Sequence, residues 1–321
     1  SADMNNTDNI HLLFDDCKIN SVELLPPDVN ESAYKFIPLT NDKILYGLGA
    51  IKGTGDSSID LILEERKNNG PYKSLFDFTL RLDLTKVNRR VVESLVRSGA
   101  FDKIEPNRSS LLASVSLAIK MAEQSKNEAG QEGLFGGSDI EAIKLVDMNP
   151  WEEKMQLLEE KAALGFYFSG HLFSYYKNII KSFISTKLID LKPRKESYLI
   201  AGIVSTVKYR QSSRGKIAIV TIDDGEASID AILGNNLLTK SYNLIKDDEL
   251  IIIEGRVSVD DYSGGNRLSA IKVYDLIMFQ SLKANLLKIS LKGQVDAFKL
   301  KELLKPYCDL DTTYKKCKVK I

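Results

Sequence analysis

Histidine and cysteine are scarce in this chain, two and three respectively in 321 residues. His11 and His171 lie far apart, which excludes a histidine-based metal site and an imidazole-driven serine or cysteine triad. Cys17, Cys308 and Cys317 have no CxxC spacing, so neither a disulfide framework nor a structural zinc site is expected, and the three read as reduced thiols. No run approaches the ~20 apolar residues of a membrane span. The stretch from Ser1 to Asn6 has no charged-then-apolar character, so a cytoplasmic protein is expected. Excess charge is missing too. With 44 Lys+Arg against 44 Asp+Glu, any basic surface must be local. There is no GxxxxGK[ST] loop, and Gly47-Leu48-Gly49-Ala50-Ile51-Lys52-Gly53 misses the GxGxxG spacing and follows no strand of a βαβ unit, which excludes nucleotide folds. Two-metal phosphoryl transfer wants carboxylates on a rigid sheet. Asp223-Asp224 falls at a strand turn and Asp309-Leu310-Asp311 in a polar stretch, and both read as loop acids.

What is present is enough apolar residue, 43% of a 35.9 kDa chain, for two or three cores. Ile10 to Cys17 has helical spacing and is stopped by Leu25-Pro26-Pro27-Asp28. From Lys43 to Arg108 the pattern is helix, glycine turn, helix, repeated, with Val91-Val92 and Leu95-Val96 as one apolar face before Gly99. Helices are expected over Leu111 to Gln124, Trp151 to Gly165 and Leu172 to Ile184, with a glycine-rich linker between the first two. At about Tyr198 the period changes. Five β-branched runs begin at Tyr198, Ile217, Ser228, Leu250 and Arg267, with a helical piece over Leu237 to Ile245 between the third and fourth, the order of an OB barrel. After Gln280 a short βα pattern begins. The fold class is multi-domain α+β: a helical hairpin region, a five-stranded OB barrel and a partial α/β segment. Because the chain starts in what reads as the end of a helix and stops in what reads as a strand, a fragment cut at both ends is expected.

Three stretches have residue types suited to binding. In Lys52-Gly53-Thr54-Gly55 a turn is followed by a helix whose first amides are unpaired; glycines leave the way clear for a phosphate, and the positive helix end attracts it. Asn88-Arg89-Arg90 through Ser98-Gly99 reads as a second such unit. The competing reading is a packing corner with glycine caps. Lys43 to Arg108 holds twelve Lys/Arg and nine Asp/Glu, an excess that suits backbone contacts blind to base sequence. Gln131, Leu134 and Phe135 place two apolar side chains and a register-fixing amide in the linker, as a short linear peptide for a partner's pocket would, although a linker also folds such a pair onto its own neighbours. In the barrel, Tyr209, Arg210, Arg214, Lys216 and Tyr262 combine aromatics with cations, the composition of a single-strand binding surface, against the alternative of ordinary polar loops.

Tyr46-Gly47-Leu48-Gly49-Ala50-Ile51-Lys52-Gly53, with Leu25-Pro26-Pro27-Asp28-Val29-Asn30 before it and Ser98-Gly99-Ala100-Phe101-Asp102 after it, closely resembles the alpha subunit of bacterial DNA polymerase III, a C-family replicative polymerase. Leu164-Gly165-Phe166-Tyr167-Phe168-Ser169-Gly170-His171 and Val257-Ser258-Val259-Asp260-Asp261-Tyr262 are similar to segments of the same family. The likeness runs to about Val273 and then fades. It implies the end of a fingers domain over 1–42, a tandem helix-hairpin-helix duplex-binding region over 43–125, a clamp-binding linker over 126–140, a helical connector over 141–195, an OB domain over 196–280 and a partial clamp-loader-binding domain over 281–321. It also implies that Gln131, Leu134 and Phe135 bind the sliding clamp beta subunit, with the tau subunit of the clamp loader as a further partner, and that the catalytic domain and its magnesium lie outside this C-terminal piece. Leu134 stands where some relatives have methionine. Two departures stand out: Leu172 occupies a place where proline is usual, and the last stretch is too short for a complete clamp-loader-binding domain, which puts partner binding there in doubt. The rival readings are a stand-alone DNA-binding adaptor and an intact enzyme whose acids are Asp309 and Asp311.

Overall fold

The computed structural model describes residues 4, 6–129, 144–213, 215–260, 264–283, 286–288, 297–308 and 318–320. Its contacts divide the chain into two units, Ser1–His171 and Leu172–Ile321. The stretch 141–195 expected as a connector is therefore shared between them, its first helix in one unit and its second in the other. Among the described residues, no helix is long and apolar enough to cross a membrane.

The first unit begins with α1 (Thr7–Ile19), whose Phe14 packs on Phe166 with ring centroids 4.7 Å apart. Three short strands follow, β1 (Glu23–Leu25), β2 (Ile37–Thr40) and β3 (Lys43–Leu45), in the order β1-β3-β2. The region from Lys43 is thus not helical throughout. β3 is an extended centre strand because β1 and β2 supply hydrogen-bonding edges on both sides, pairing parallel and antiparallel respectively, and such partners leave no trace in local periodicity. Likewise a single 3-10 turn at Leu48–Ala50, not a helix, leads into the first glycine turn.

α2 (Asp56–Asn69) and α3 (Leu75–Arg81) follow, the latter capped by Ser74, whose hydroxyl accepts from the Asp77 amide at 3.0 Å. α4 (Arg89–Arg97) is capped by Asn88 and buries Val91, Val92, Leu95 and Val96. Leu111, Val115, Ala118 and Ala122 line the inner face of α5 (Arg108–Ala129) at the spacing of a helix against a core. Phe78 and Phe101 meet at the centre, both fully buried, with centroids 5.1 Å apart; each contributes about 1.5–3 kcal/mol by burial.

The polar face of α5 holds an extended segment by its main chain. Ser114 Oγ accepts from the Val146 amide at 2.8 Å and Ser110 Oγ from the Met148 amide at 3.1 Å, while Asn107 and Ser109 donate to the carbonyls of Met148 and Asn149 at 2.8 and 2.6 Å. α6 (Glu153–Leu164) then ends at Gly165 in the left-handed conformation.

In the second unit, α7 (Leu172–Lys181) precedes a closed barrel of β4 (Tyr198–Ser212), β5 (Gly215–Asp223), β6 (Ser228–Leu233), β7 (Leu250–Val259) and β8 (Asn266–Tyr274), in the spatial order β4-β5-β6-β8-β7. α8 (Asn235–Ser241) lies between β6 and β7, as expected. Alternation sets the two faces of each strand. Ala218, Val220 and Ile222 of β5 and Ile229, Ala231 and Leu233 of β6 enter the core, so Ile217, Ile219 and Thr221, and Asp230 and Ile232, lie outside. After the barrel come α9 (Leu276–Lys283), β9 (Leu286–Lys288), α10 (Ala297–Cys308) and β10 (Lys318–Lys320), with β9 and β10 paired in parallel.

Candidate nucleic-acid interface

The four glycines around the first turn have different physical reasons. At Gly47 an added Cβ would stand 2.6 Å from the Lys35 carbonyl carbon, and at Gly49 it would stand 2.7 Å from the Tyr34 ring, so both are packing glycines. Gly53 has φ +84°, a conformation that side chains resist, and an added Cβ would crowd Arg90. Gly55 is unlike the other three. As N-cap of α2 it has an ordinary φ of −87°, and the nearest atom to an added Cβ is Ser58 Oγ at 3.9 Å. Nothing in the fold requires glycine there, so its effect is to leave the start of α2 uncovered.

Around that helix start, Lys52 and Arg90 are exposed and have no ion pair among the described residues. The Ser58 hydroxyl donates to the Lys86 carbonyl at 2.9 Å, tying the first turn to the segment that leads into α4. Two groups oppose an anion. Asp56 occupies the first turn of α2, where its carboxylate accepts from the Tyr34 hydroxyl and pushes that phenol's pKa up, and Asp60 lies in the following turn. Arg89 is also partly occupied, pairing with Glu93 at 2.6 Å.

The far end of the second unit is not surface. Ser98 is 1% exposed and its hydroxyl donates to the Leu95 carbonyl, and a Cβ on Gly99 would collide with the Arg108 guanidinium at 2.3 Å. Ser98 and Gly99 are therefore a sealed helix end rather than a nucleic-acid contact. Arg108 covers them, donating to Asp102 at 2.7 and 2.8 Å and to Glu160 at 3.0 Å. Burial works against its charge, but the two carboxylates outweigh burial and hold its pKa above the usual value. The other Glu160 oxygen accepts from the Phe168 and Ser169 amides and the Ser169 hydroxyl, which pins the segment after α6. Packing thus accounts for Gly99, whereas at Gly55 no packing contact calls for a glycine.

In the barrel, the expected basic turn is mostly strand: Tyr209 and Arg210 belong to β4 and Lys216 to β5. Alternation sends Tyr209 and Arg210 to opposite faces, since Val207 packs on the core. Tyr209 is 41% exposed, yet the Lys216 ammonium lies 4.4 Å from its ring centroid and the Tyr242 ring 6.3 Å away. Burial, then Tyr242, raises its pKa. Tyr209 and Lys216 are thus engaged with each other, rather than being a free stacking ring and a free cation. Arg210 shares the outer face with Lys208, beside Ile217 and Ile219, which directly oppose them on β5. That isoleucine surface escaped the sequence reading, which sought aromatics; the alternation within each strand was the available signal. Gln131, Leu134, Phe135, Arg214, Tyr262, Asp309 and Asp311 lie outside the described residues. Among those described, no three His, Cys, Asp or Glu side chains converge as metal ligands.

A helical region with an uncovered helix start and a closed five-stranded barrel define a chain of nucleic-acid-binding modules. In agreement, residues 21–111 match the helix-hairpin-helix motif and residues 198–276 the OB-fold nucleic acid binding domain. Over nearly its whole length the chain is similar to DNA polymerase III subunit alpha. It is 40% identical over 308 residues to that subunit from Neisseria meningitidis, covering 95% of this chain and 27% of the relative. It is 37% identical to the one from Vibrio cholerae, covering 92% and 26%, and 36% identical to the one from Escherichia coli, covering 96% and 28%. The chain spans about a quarter of the length of these relatives.

Proposed function

We propose that the chain is a DNA-handling region of a cytoplasmic replicative polymerase. In this reading the start of α2, with Lys52, Gly53, Thr54, Gly55, Asn88, Arg89 and Arg90, grips duplex backbone without reading sequence, because amides and cations address phosphates rather than bases. The outer face of the barrel, with Lys208, Arg210 and the isoleucines beside them, takes single strand. Gln131, Leu134 and Phe135 engage the sliding clamp, and residues 281–321 contribute to clamp-loader binding. Nucleotide addition and its magnesium belong to a part of the polymerase other than these residues.

The observation that carries the reading is the alignment with DNA polymerase III subunit alpha along both modules in one order. Fluorescence anisotropy with a short duplex and a short single strand, at several salt concentrations, tests it. Salt-sensitive binding to both is expected, and failure to bind either would refute it. Primer extension by the isolated chain with magnesium and nucleotides should give no product; robust synthesis would establish the intact-enzyme rival. A ring clamp that fails to retain the chain would favour the stand-alone adaptor.

A further inference from the structure

On the outside of the barrel, β6 and β8 run parallel and place Asp230 directly opposite Arg267. Neighbouring strands are about 4.8 Å apart, and two opposite charges at that spacing ordinarily pair. Here each is held by a third residue instead. Thr206 Oγ donates to Thr221 Oγ at 3.0 Å, and Thr221 in turn donates to Asp230 Oδ1 at 2.6 Å, a ladder across three strands that fixes the carboxylate. Arg267 uses Nη1 to reach Asp260 Oδ1 at 2.9 Å. The rest of its guanidinium has no protein partner among the described residues, and its Nε is the one buried side-chain polar atom among them without a hydrogen bond. A pocket of about 250 Å³ lies at this divided pair, lined by Asp230, Asp260, Asn266 and Arg267 with Ser228 and Ile229.

Resting on the single-strand reading of the barrel, we propose that this pocket receives a guanine base. The terminal edge of the Arg267 guanidinium, Nη2 with the second N–H of Nη1, presents two donors that match two adjacent acceptors, and guanine O6 and N7 are the pair that arginine addresses bidentately. A carboxylate with a free oxygen matches adjacent donors, and guanine N1–H and N2–H supply them on the next edge. Adenine, cytosine and thymine lack this sequence of two acceptors followed by two donors. The route to the pocket suits a strand: Ile219 and Ile232 are direct cross-strand partners on the outer face, an apolar step between Lys208 and Arg210 on β4 and the pocket at β6 and β8. The barrel would then hold phosphates without preference at its basic side and favour one base at its far side.

Anisotropy titrations of the full chain with labelled oligo-dT, and with the same strand containing one central guanine, 7-deazaguanine or hypoxanthine, test the assignment. One guanine should tighten binding about tenfold. 7-Deazaguanine, lacking N7, and hypoxanthine, lacking the N2 amino group, should each lose most of that gain. Asp230→Asn and Arg267→Lys, checked for an unchanged melting temperature, should bring the guanine-to-thymine ratio towards one. A wild-type ratio near one, or a ratio that both variants leave intact, overturns the pocket. Absence of binding to every strand would instead overturn the single-strand reading on which it rests.

Discussion

The Arg90 side chain of α4 lies against Gly53 of the first turn, where an added Cβ would stand 3.1 Å from its Nε and 3.2 Å from Ser94 Oγ. The two helical units thus meet at one spot, an exposed cation beside a bare backbone. Gly53→Ala should cost about 1–2 kcal/mol of stability from its backbone conformation alone, which confounds any binding measurement. Gly55→Val avoids the difficulty, because φ there is ordinary and space is open. It should lower the melting temperature by no more than a few degrees, since valine caps a helix less well than glycine, and weaken duplex affinity about tenfold, the worth of one charge-assisted hydrogen bond. Equal affinities would make the whole turn a packing corner.

Arg108 and Glu160 form a buried pair, with side chains 9% and 1% exposed. Removing one partner strands a charge, at about 3–5 kcal/mol. Arg108→Ala should therefore lower the urea midpoint strongly. A loss below about 1 kcal/mol would mean that Asp102 and Glu160 find solvent on their own.

For the clamp peptide, a Leu134→Ala/Phe135→Ala double variant should lose about 2 kcal/mol or more of affinity for a purified ring clamp. Calorimetric titration with both proteins decides this, and an unchanged Kd would show the two residues to have no part in that contact.

Glu65 offers a pH test. Arg81 donates to its carboxylate at 3.0 Å and Asn69 at 2.8 Å, and these bonds, Arg81's first, hold its pKa below the ordinary 4.5. Folding therefore disfavours the proton, so the contribution is present at neutral pH and fades as pH falls through and below that ordinary value. In Glu65→Gln the melting temperature should be lower at neutral pH and decline less on acidification. Parallel pH profiles for the two proteins would contradict the linkage.

The barrel was legible in the sequence because each strand has its own β-branched run and the helical piece falls between the third and fourth. The binding surfaces were less so. Gly53 and Gly99 look alike as helix-end glycines, and only the arrival of Arg108 over Gly99 makes one buried. Tyr209 and Arg210 are neighbours in sequence and occupy opposite faces in space, because both lie in regular strand rather than in the turn the sequence suggested. β3 was missed because it is only three residues long, too short to show a period, and one of its two partners, β1, lies some 20 residues earlier, and Asp230 and Arg267 because their parallel pairing joins strands that are not consecutive.

The polar face of α5 has a last consequence. Asn107, Ser109, Ser110 and Ser114 hold residues 146–149 through amides and carbonyls, which every residue but proline offers alike. Val146 and Met148 can therefore drift to other letters while the path of the chain stays put. Among relatives this stretch should be variable in spelling and constant in course, and its neutral substitutions should spare only one change, proline at 146 or 148.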